Sequence, residues 1–390
     1  MDFSIPSELV AVRDTVRRFV QRELVPLEQT YPDGMPYEEE LRWRQRVRDM
    51  GLFMMHAPEE CGGSAINMLG MALVFEETAK TTMAADFLLG IDQPDPVALM
   101  SSSSPEIKQR YMMPAVRAER YWAFAMSEPG AGSDAQSITT SAVRDGDDWV
   151  INGTKLWSSR MRIADFAVVL VVTDKQKRGR GGMSMFIVDR DNPGMQVSRM
   201  IRTMGEEPND LRGPTEVSFG NCRVPGWALV GVEGEGFKQA QARLGVQRIS
   251  IAARCVGVAE RALDMAIAYT KERKTWGEPV ASRQGIQWMF ADAASQIYAA
   301  RLMTYHCAQK WDAGDEARME TSICKLVASE MVSKVVDMAI QVHGGMGYTK
   351  DLPLEKMYRA SRLQRIVEGA SEIHKNIIGR MLVDGRRPTV

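Results

Sequence analysis

Apolar positions along the chain change period twice. In SELVAVRDTVRRFVQRELVPL, residues Leu9, Val12, Val16, Phe19 and Val20 recur at spacings of three and four. That spacing puts them on one face of a helix. Ser7 stands where an N-cap belongs, and Pro26 where the helix should end. Helical patterns return near residues 38–50, 67–80 and 105–117, set apart by APEECGGSA and MSSSSPE. From about Ala123 to Val232 the period shortens. DWVING, FAVVLVVTD, GMSMFIVD, GMQVSRM and TEVSFGNCRVP are short β-branched runs bounded by turn residues. No long helical pattern interleaves them, which predicts an antiparallel barrel or sandwich rather than a doubly wound parallel sheet. From Gly236 to Gly379 amphipathic helices return over roughly 237–273, 282–314, 316–344 and 369–383. Their short loops predict antiparallel neighbours in a bundle.

This order defines an α+β chain, mainly α. An N-terminal helical domain is expected over 1–122, a middle antiparallel β-barrel over 123–235 and a C-terminal four-helix bundle over 236–390. A length of 390 residues agrees with more than one core. Hydrophobic residues make up 45% and charged residues 25%, an ordinary globular mix. The formal net charge of -1 supplies no global field to draw nucleic acid. Basic runs at Lys175–Arg180 and Arg386–Arg387 read as solvated loops. No run of about 18 apolar residues is present to span a membrane. The opening MDFSIPSELVAVRD carries early acidic residues and no apolar stretch, so neither a secretory signal nor a transit peptide is expected. Cys61, Cys222, Cys255, Cys307 and Cys324 are scattered, which suits free thiols in a reducing, cytoplasmic setting. Four histidines without paired ligand spacing make a metal site unexpected.

Sequence blocks carry the chemistry. They are FAMSEPGAGSD over Phe124–Asp134, WVINGTKLWSS over Trp149–Ser159, ERKTWG over Glu272–Gly277 with Gln284 following, QVHGGMGY over Gln341–Tyr348, and RIVEGASEIH over Arg365–His374. The first has three glycines and Pro129, so its backbone can approach a bound ring closely. Taken in this order, the blocks closely resemble the acyl-CoA dehydrogenase family across nearly the whole chain. The glycine-rich Gly231–Phe237 is not the dinucleotide fingerprint and reads as the linker from barrel to bundle.

The resemblance implies FAD as cofactor, and it implies roles residue by residue. Phe124, Met126, Ser127, Gly132 and Ser133 would line the flavin, with Ser133 also near the CoA part of the substrate. Trp157, following a strand that ends in an Asn152–Gly153 turn, would lie against the isoalloxazine with Ser159, where the family more often has Thr. Arg273, just past a helix end, would reach the FAD pyrophosphate of a neighbouring subunit, helped by Thr275 and Trp276. Gln284, Gln341, Val342, Gly344 and Gly345 would complete that site, and Ala370 and Ser371 would add flavin contacts. A shared cofactor implies an oligomer, by family habit a homotetramer. His343 reads as a packing or cofactor-contact residue.

Thioester α-protons are weakly acidic, so a carboxylate base serves only where its surroundings make it basic enough. By resemblance that base is Glu368, here in Val367-Glu368-Gly369-Ala370 where the family writes Tyr-Glu-Gly-Thr. The rival family position falls at about Gln247, which cannot take a proton. Arg248 would support the substrate and the loop carrying the base, and Gly369 and Gln247 would line the substrate. Glu372 reads as a surface charge. The acyl pocket would run along residues 87–100, where Asp92, Gln93 or Asp95 could meet a polar acyl group and two prolines should distort the wall. The implied reaction is α,β-dehydrogenation of an acyl-CoA to the trans-2-enoyl-CoA, in fatty-acid or carboxylic-acid catabolism, with electrons passing to electron-transfer flavoprotein. An oxidase or monooxygenase using O2 on the same fold, and a catalytically silent acyl-CoA binder, remain alternatives at this stage.

Overall fold

In the computed structural model, residues 4–92, 96–205, 210–315 and 317–389 are described. The longer helices are α1 (Ser7–Phe19), α2 (Tyr37–Asp49), α3 (Met68–Thr78), α4 (Gly236–Glu272), α5 (Gln284–Asp312), α6 (Arg318–His343), α7 (Leu354–Leu363) and α8 (Ser371–Val383). The strands are β1 (Trp122–Ala125), β2 (Ser141–Asp145), β3 (Asp148–Ser159), β4 (Phe166–Val172), β5 (Met183–Asp189), β6 (Met195–Met200), β7 (Pro214–Pro225), β8 (Leu229–Val230), β9 (Lys274–Thr275) and β10 (Glu278–Pro279). Two compact units are present. One comprises residues 1–35, 66–89 and 245–390, the other residues 36–65 and 90–244.

The second unit is built on the sheet, in order β6-β7-β3-β2-β4-β5-β8. Most neighbours are antiparallel, as the short runs and tight turns predict. The exceptions are the β2–β4 junction, where Ser141 pairs in parallel with Val172, and β1, which lies parallel to β4. The β2–β3 hairpin intervenes between them in sequence, and a connection that long can return the chain in the same direction. Along β4, Phe166, Val168, Leu170 and Val172 enter one apolar cluster, while Ala167, Val169 and Val171 enter another. Burial on both faces explains its unbroken hydrophobic run. Leu99, Ile107 and Tyr111, from the helical stretch that precedes β1, close the first cluster.

Asn152–Gly153 does not end a strand; β3 runs through it. Ile151 faces Cys222 and Gly153 faces Phe219, so β7 carries one extra residue there. A Cβ on Gly153 would fall 2.5 Å from Thr140 Oγ1, so glycine serves close packing in a bulge and not a hairpin turn.

The first unit is helical. Its α1 begins at Ser7 with Pro6 in the cap position, and Ser7 makes no capping bond. Asn67 does cap α3, accepting from the Gly70 N–H at 3.0 Å. Asp312, at the end of α5, accepts from the N–H groups of Met68 and Leu69 at 2.7 and 2.9 Å. An anion at those unpaired amides fixes the start of α3, which is buried on every side. Gly257 of α4 meets α3 backbone to backbone: a Cβ would fall 2.0 Å from the Glu76 carbonyl oxygen. Besides the three long bundle helices and α8, the structure contains α7. Its buried Leu354, Met357 and Ser361 lie on one face of an otherwise charged decapeptide, which hides the pattern. No helix of the described residues is long and apolar enough to cross a membrane.

Candidate active site

In the sheet unit, the loop after β1 is tied from beneath. Glu128 and Ala131 exchange both backbone hydrogen bonds, at 3.0 and 3.1 Å, closing a tight hairpin. The Glu128 carboxylate turns inward and accepts from the Thr139 N–H (2.7 Å), the Thr139 hydroxyl (2.8 Å), the Thr140 N–H (2.9 Å) and Lys155 Nζ (2.8 Å). Lys155, fully buried, also donates to the Met126 carbonyl at 2.9 Å. Burial pushes the Glu128 carboxyl up, but the Lys155 ammonium and the hydrogen bonds outweigh it and hold it at about 2. Burial pulls the Lys155 ammonium down to about 8 against the pull of Glu128. In a trans peptide the C=O and the following N–H point opposite ways, so pinning the Met126 carbonyl turns the Ser127 N–H away from Lys155.

The other side of the loop is open. Met126 and Ser127 are half-buried, Gly132 and Ser133 exposed, and a Cβ on Gly130 or Gly132 would meet nothing. Phe124 is half-buried under the Arg243 guanidinium, 4.6 Å from its ring centre. On β3, Lys155 faces Val217 and Ser158 faces Thr215, which leaves an extra residue on β3. Trp157 sits in that bulge at φ +63° and is 55% exposed, with half-buried Ser159 just beyond. A large aromatic held outward in a left-handed conformation is strained, and its ring does not plug the sheet. Asp92 is engaged by Arg160, whose Nε donates to its carboxylate at 2.8 Å and whose Nη2 donates to its carbonyl at 2.7 Å. Pro96 opens the short helix Pro96–Met100, while Gln93, Pro94 and Asp95 lie outside the described residues.

In the helical unit, the chain leaves α4 through a two-residue hairpin. Thr275 pairs with Glu278 and Lys274 with Pro279, and the turn residues Trp276 and Gly277 have φ of +52° and +84°. Positive φ at both turn positions is the primed geometry that suits a β-ribbon. It leaves Trp276 92% exposed, beside exposed Arg273 and exposed Gln284. Thr275 offers its carbonyl to Arg283 Nη2 at 2.7 Å. At the end of α6, Gln341, Gly344 and Gly345 are exposed and Val342 half-buried. His343 is buried, with Nδ1 at 2.7 Å from the Ala339 carbonyl and its ring stacked 4.4 Å from Tyr269. It packs.

Glu368 lies in the turn between α7 and α8, half-buried, at φ +53°, and Gly369 follows at φ +98°. Among the described residues, Glu368 is the only acidic one with positive φ. Arg248 Nε donates to the Glu368 carbonyl at 3.3 Å, and Lys325 Nζ donates to the Gly369 carbonyl at 2.8 Å. The His374 ring closes the turn from α8: a Cβ on Gly369 would sit 3.2 Å from its Nε2. Gln247 is buried on α4 and Glu372 exposed on α8. Half-buried Ala370 precedes α8, and Ser371 is buried, its hydroxyl donating to Glu330 at 2.7 Å.

The descriptions "Acyl-CoA dehydrogenase, N-terminal domain", "middle domain" and "C-terminal domain" match residues 6–119, 123–222 and 234–383. The chain belongs to the acyl-CoA dehydrogenase family. It is an oxidoreductase of that flavin-dependent family, with its helical N-terminal, β-sheet middle and helical C-terminal parts. It is 37% identical to acryloyl-CoA reductase (NADH) of Anaerotignum propionicum, over 97% of this chain and 95% of that one. It is 36% identical to (R)-benzylsuccinyl-CoA dehydrogenase of Thauera aromatica, over 99% and 98%. Among solved structures, glutaryl-coenzyme A dehydrogenase with glutaryl-CoA superposes at a TM-score of 0.90, with 31% identity over 100% of this chain and 98% of that one.

Sequence reasoning gave no role to Glu128, Lys155 and His374, which stand inside the blocks, or to Lys325, which stands outside them. A signal for Lys325 exists in hindsight. It occupies the buried stripe of α6 with Thr321, Cys324, Ala328 and Val332, a cation where the period demands an apolar residue.

Proposed function

We propose that this enzyme dehydrogenates an acyl-CoA thioester at the α,β position, with Glu368 as the base. The observation that carries the reading is the Glu368–Gly369 turn. A glutamate in the left-handed region costs about 1–2 kcal/mol, and such strain persists where the surroundings over-determine it. FAD fits the residues present: an outward Trp157, an open glycine loop and an exposed Arg273 capable of bidentate phosphate contact. Phe124, Met126, Ser127, Gly132, Ser133, Trp157, Ser159 and Ala370 would hold it, while Arg273, Thr275, Trp276, Gln284, Gln341, Val342, Gly344 and Gly345 would reach the FAD of a neighbouring subunit. When bound, FAD supplies the two-electron acceptor for the β-hydride.

The chain's own residues do the rest. The Glu368 carboxylate takes the α-proton, and the α,β double bond forms as the hydride departs. The Glu368 backbone N–H donates to the thioester carbonyl, where negative charge develops. Arg248 holds the turn, and Gln247 lines the substrate without competing as a base. Electrons leave to electron-transfer flavoprotein. The exposed Trp288 and Tyr298 on α5 support a homotetramer in which another copy covers them.

The test is bleaching of the flavin absorbance by a panel of acyl-CoAs, spanning butyryl-, glutaryl- and benzylsuccinyl-CoA, with wild type and Glu368→Gln. The variant is expected to stay yellow and lose reduction by roughly 10²- to 10⁴-fold. Reduction at the wild-type rate would exclude Glu368 as base. One relative's name, acryloyl-CoA reductase, favours a second reading in which the reaction runs in the opposite direction, Glu368 returning the proton. Reoxidation of the reduced flavin by an enoyl-CoA, faster than bleaching by the saturated acyl-CoA, would favour that direction.

A further inference from the structure

We propose that Lys325 is a positioning residue for the catalytic base: its buried ammonium and the Arg248 guanidinium hold two successive carbonyls of the Glu368–Gly369 turn and thereby aim Glu368. The inference rests on the function proposed above for Glu368.

Lys325 comes from the middle of α6 and is fully buried. A buried ammonium is tolerated only where its charge is satisfied. Its hydrogen bond goes to a backbone oxygen, the Gly369 carbonyl, at 2.8 Å, and not to a carboxylate. The groups facing it are Cys255 and Arg248 on α4, Glu330 on its own helix, Glu368 on the turn and His374 on α8. Burial draws the Lys325 ammonium down to about 8.

The geometry converts this contact into aim. Arg248 holds the carbonyl of Glu368, and Lys325 that of Gly369. All peptide bonds of the described residues are trans. Each held carbonyl therefore turns the following N–H, of Gly369 and of Ala370, away from the cations. The two held planes flank Gly369, so its φ of +98° has little freedom to relax and the peptide leaving the Glu368 Cα is fixed in direction. His374, packed against Gly369, blocks collapse of the turn toward α8. Removing the ammonium should leave the carboxylate present but badly directed.

The experiment uses the FAD-loaded enzyme and the acyl-CoA from the panel that bleaches the wild type fastest. Lys325→Met and Lys325→Arg are compared with wild type by stopped-flow reduction, with the substrate unlabelled and α-deuterated. Lys325→Met is expected to keep FAD and acyl-CoA Kd, while the limiting rate falls roughly 10- to 100-fold, the scale of a base displaced by about 1 Å. The deuterium effect should rise, because proton abstraction becomes slower than every other step. Lys325→Arg, which keeps a cation, should lose less rate and show a smaller rise. A wild-type limiting rate and isotope effect in Lys325→Met overturns the proposal, as does a loss confined to Kd. If Lys325→Met fails to hold FAD, Lys325→Arg decides: a slower limiting rate at unchanged Kd supports the assignment, and wild-type kinetics overturns it. Loss of FAD from both makes Lys325 a folding residue and overturns it too. A wild type that no acyl-CoA reduces rejects the proposed function itself, an outcome distinct from a wild type that reduces alongside an unaffected Lys325→Met.

Discussion

Lys155 Nζ lies 2.8 Å from Glu128 Oε1 with both side chains buried, and the same ammonium holds the Met126 carbonyl at 2.9 Å. The pair anchors the loop proposed to face the flavin. Lys155→Met would leave Glu128 buried without its counter-charge, a change that costs about 3–5 kcal/mol. The expected outcome is a lower melting temperature and purified protein with substoichiometric FAD, read from the absorbance ratio. In acid the Glu128 contribution should fade as pH falls from its ordinary 4.5 toward about 2, since its folded carboxyl is held low. An unchanged FAD content in Lys155→Met would refute the anchoring role.

Gly369→Ala tests the turn without touching a charge. The new Cβ meets His374 Nε2 at 3.2 Å, and the φ of +98° suits glycine alone. The expected cost is about 1–3 kcal/mol, measured by urea unfolding. Flavin should remain bound while its reduction by acyl-CoA slows. Stability equal to wild type would mean that the turn relaxes freely.

His374 is fully buried, and its imidazole is pulled down to about 3, first by burial and then by the Arg248 and Lys325 charges. In the folded enzyme it stays neutral, whereas the unfolded chain takes up a proton near the ordinary 6.5. The stability it permits is complete above that value and is lost as pH falls from about 6.5 toward 3. The slope is at most about 1.4 kcal/mol per pH unit. His374→Gln removes the titration. Unfolding free energies of wild type and variant should therefore diverge between pH 7 and 5, with the variant flatter. Parallel curves would show that His374 does not titrate in this way.

Trp276 occupies a left-handed turn position that asparagine would fill at lower cost. Trp276→Asn is expected to stabilise the hairpin by about 1 kcal/mol. If the exposed ring serves FAD, cofactor affinity should fall about tenfold from lost aromatic contact. Titration of the apoprotein with FAD measures the affinity. A variant that is more stable and binds FAD as tightly as wild type would leave Trp276 without a cofactor role.

The change of hydrophobic period along the chain determined the helical, β, helical order, because local spacing decides which faces can be buried. The ordered blocks around Phe124, Trp157, Arg273, Gln341 and Glu368 determined the family, since each carries local turn chemistry written in adjacent residues. Other features needed the fold. Asn152–Gly153 reads as a turn but forms a bulge, because β7 and Thr140 supply the constraint. The parallel pairing of β1 with β4 depends on which edge the chain returns to, which no local pattern states. Lys155 and Lys325 bond to groups 27 and 44 residues away. Arg248 reaches Glu368 across 120 residues. Burial and hydrogen bonding between distant positions are properties of tertiary packing. The sequence named Glu368 as the candidate base; the tertiary structure decided what holds its turn in place.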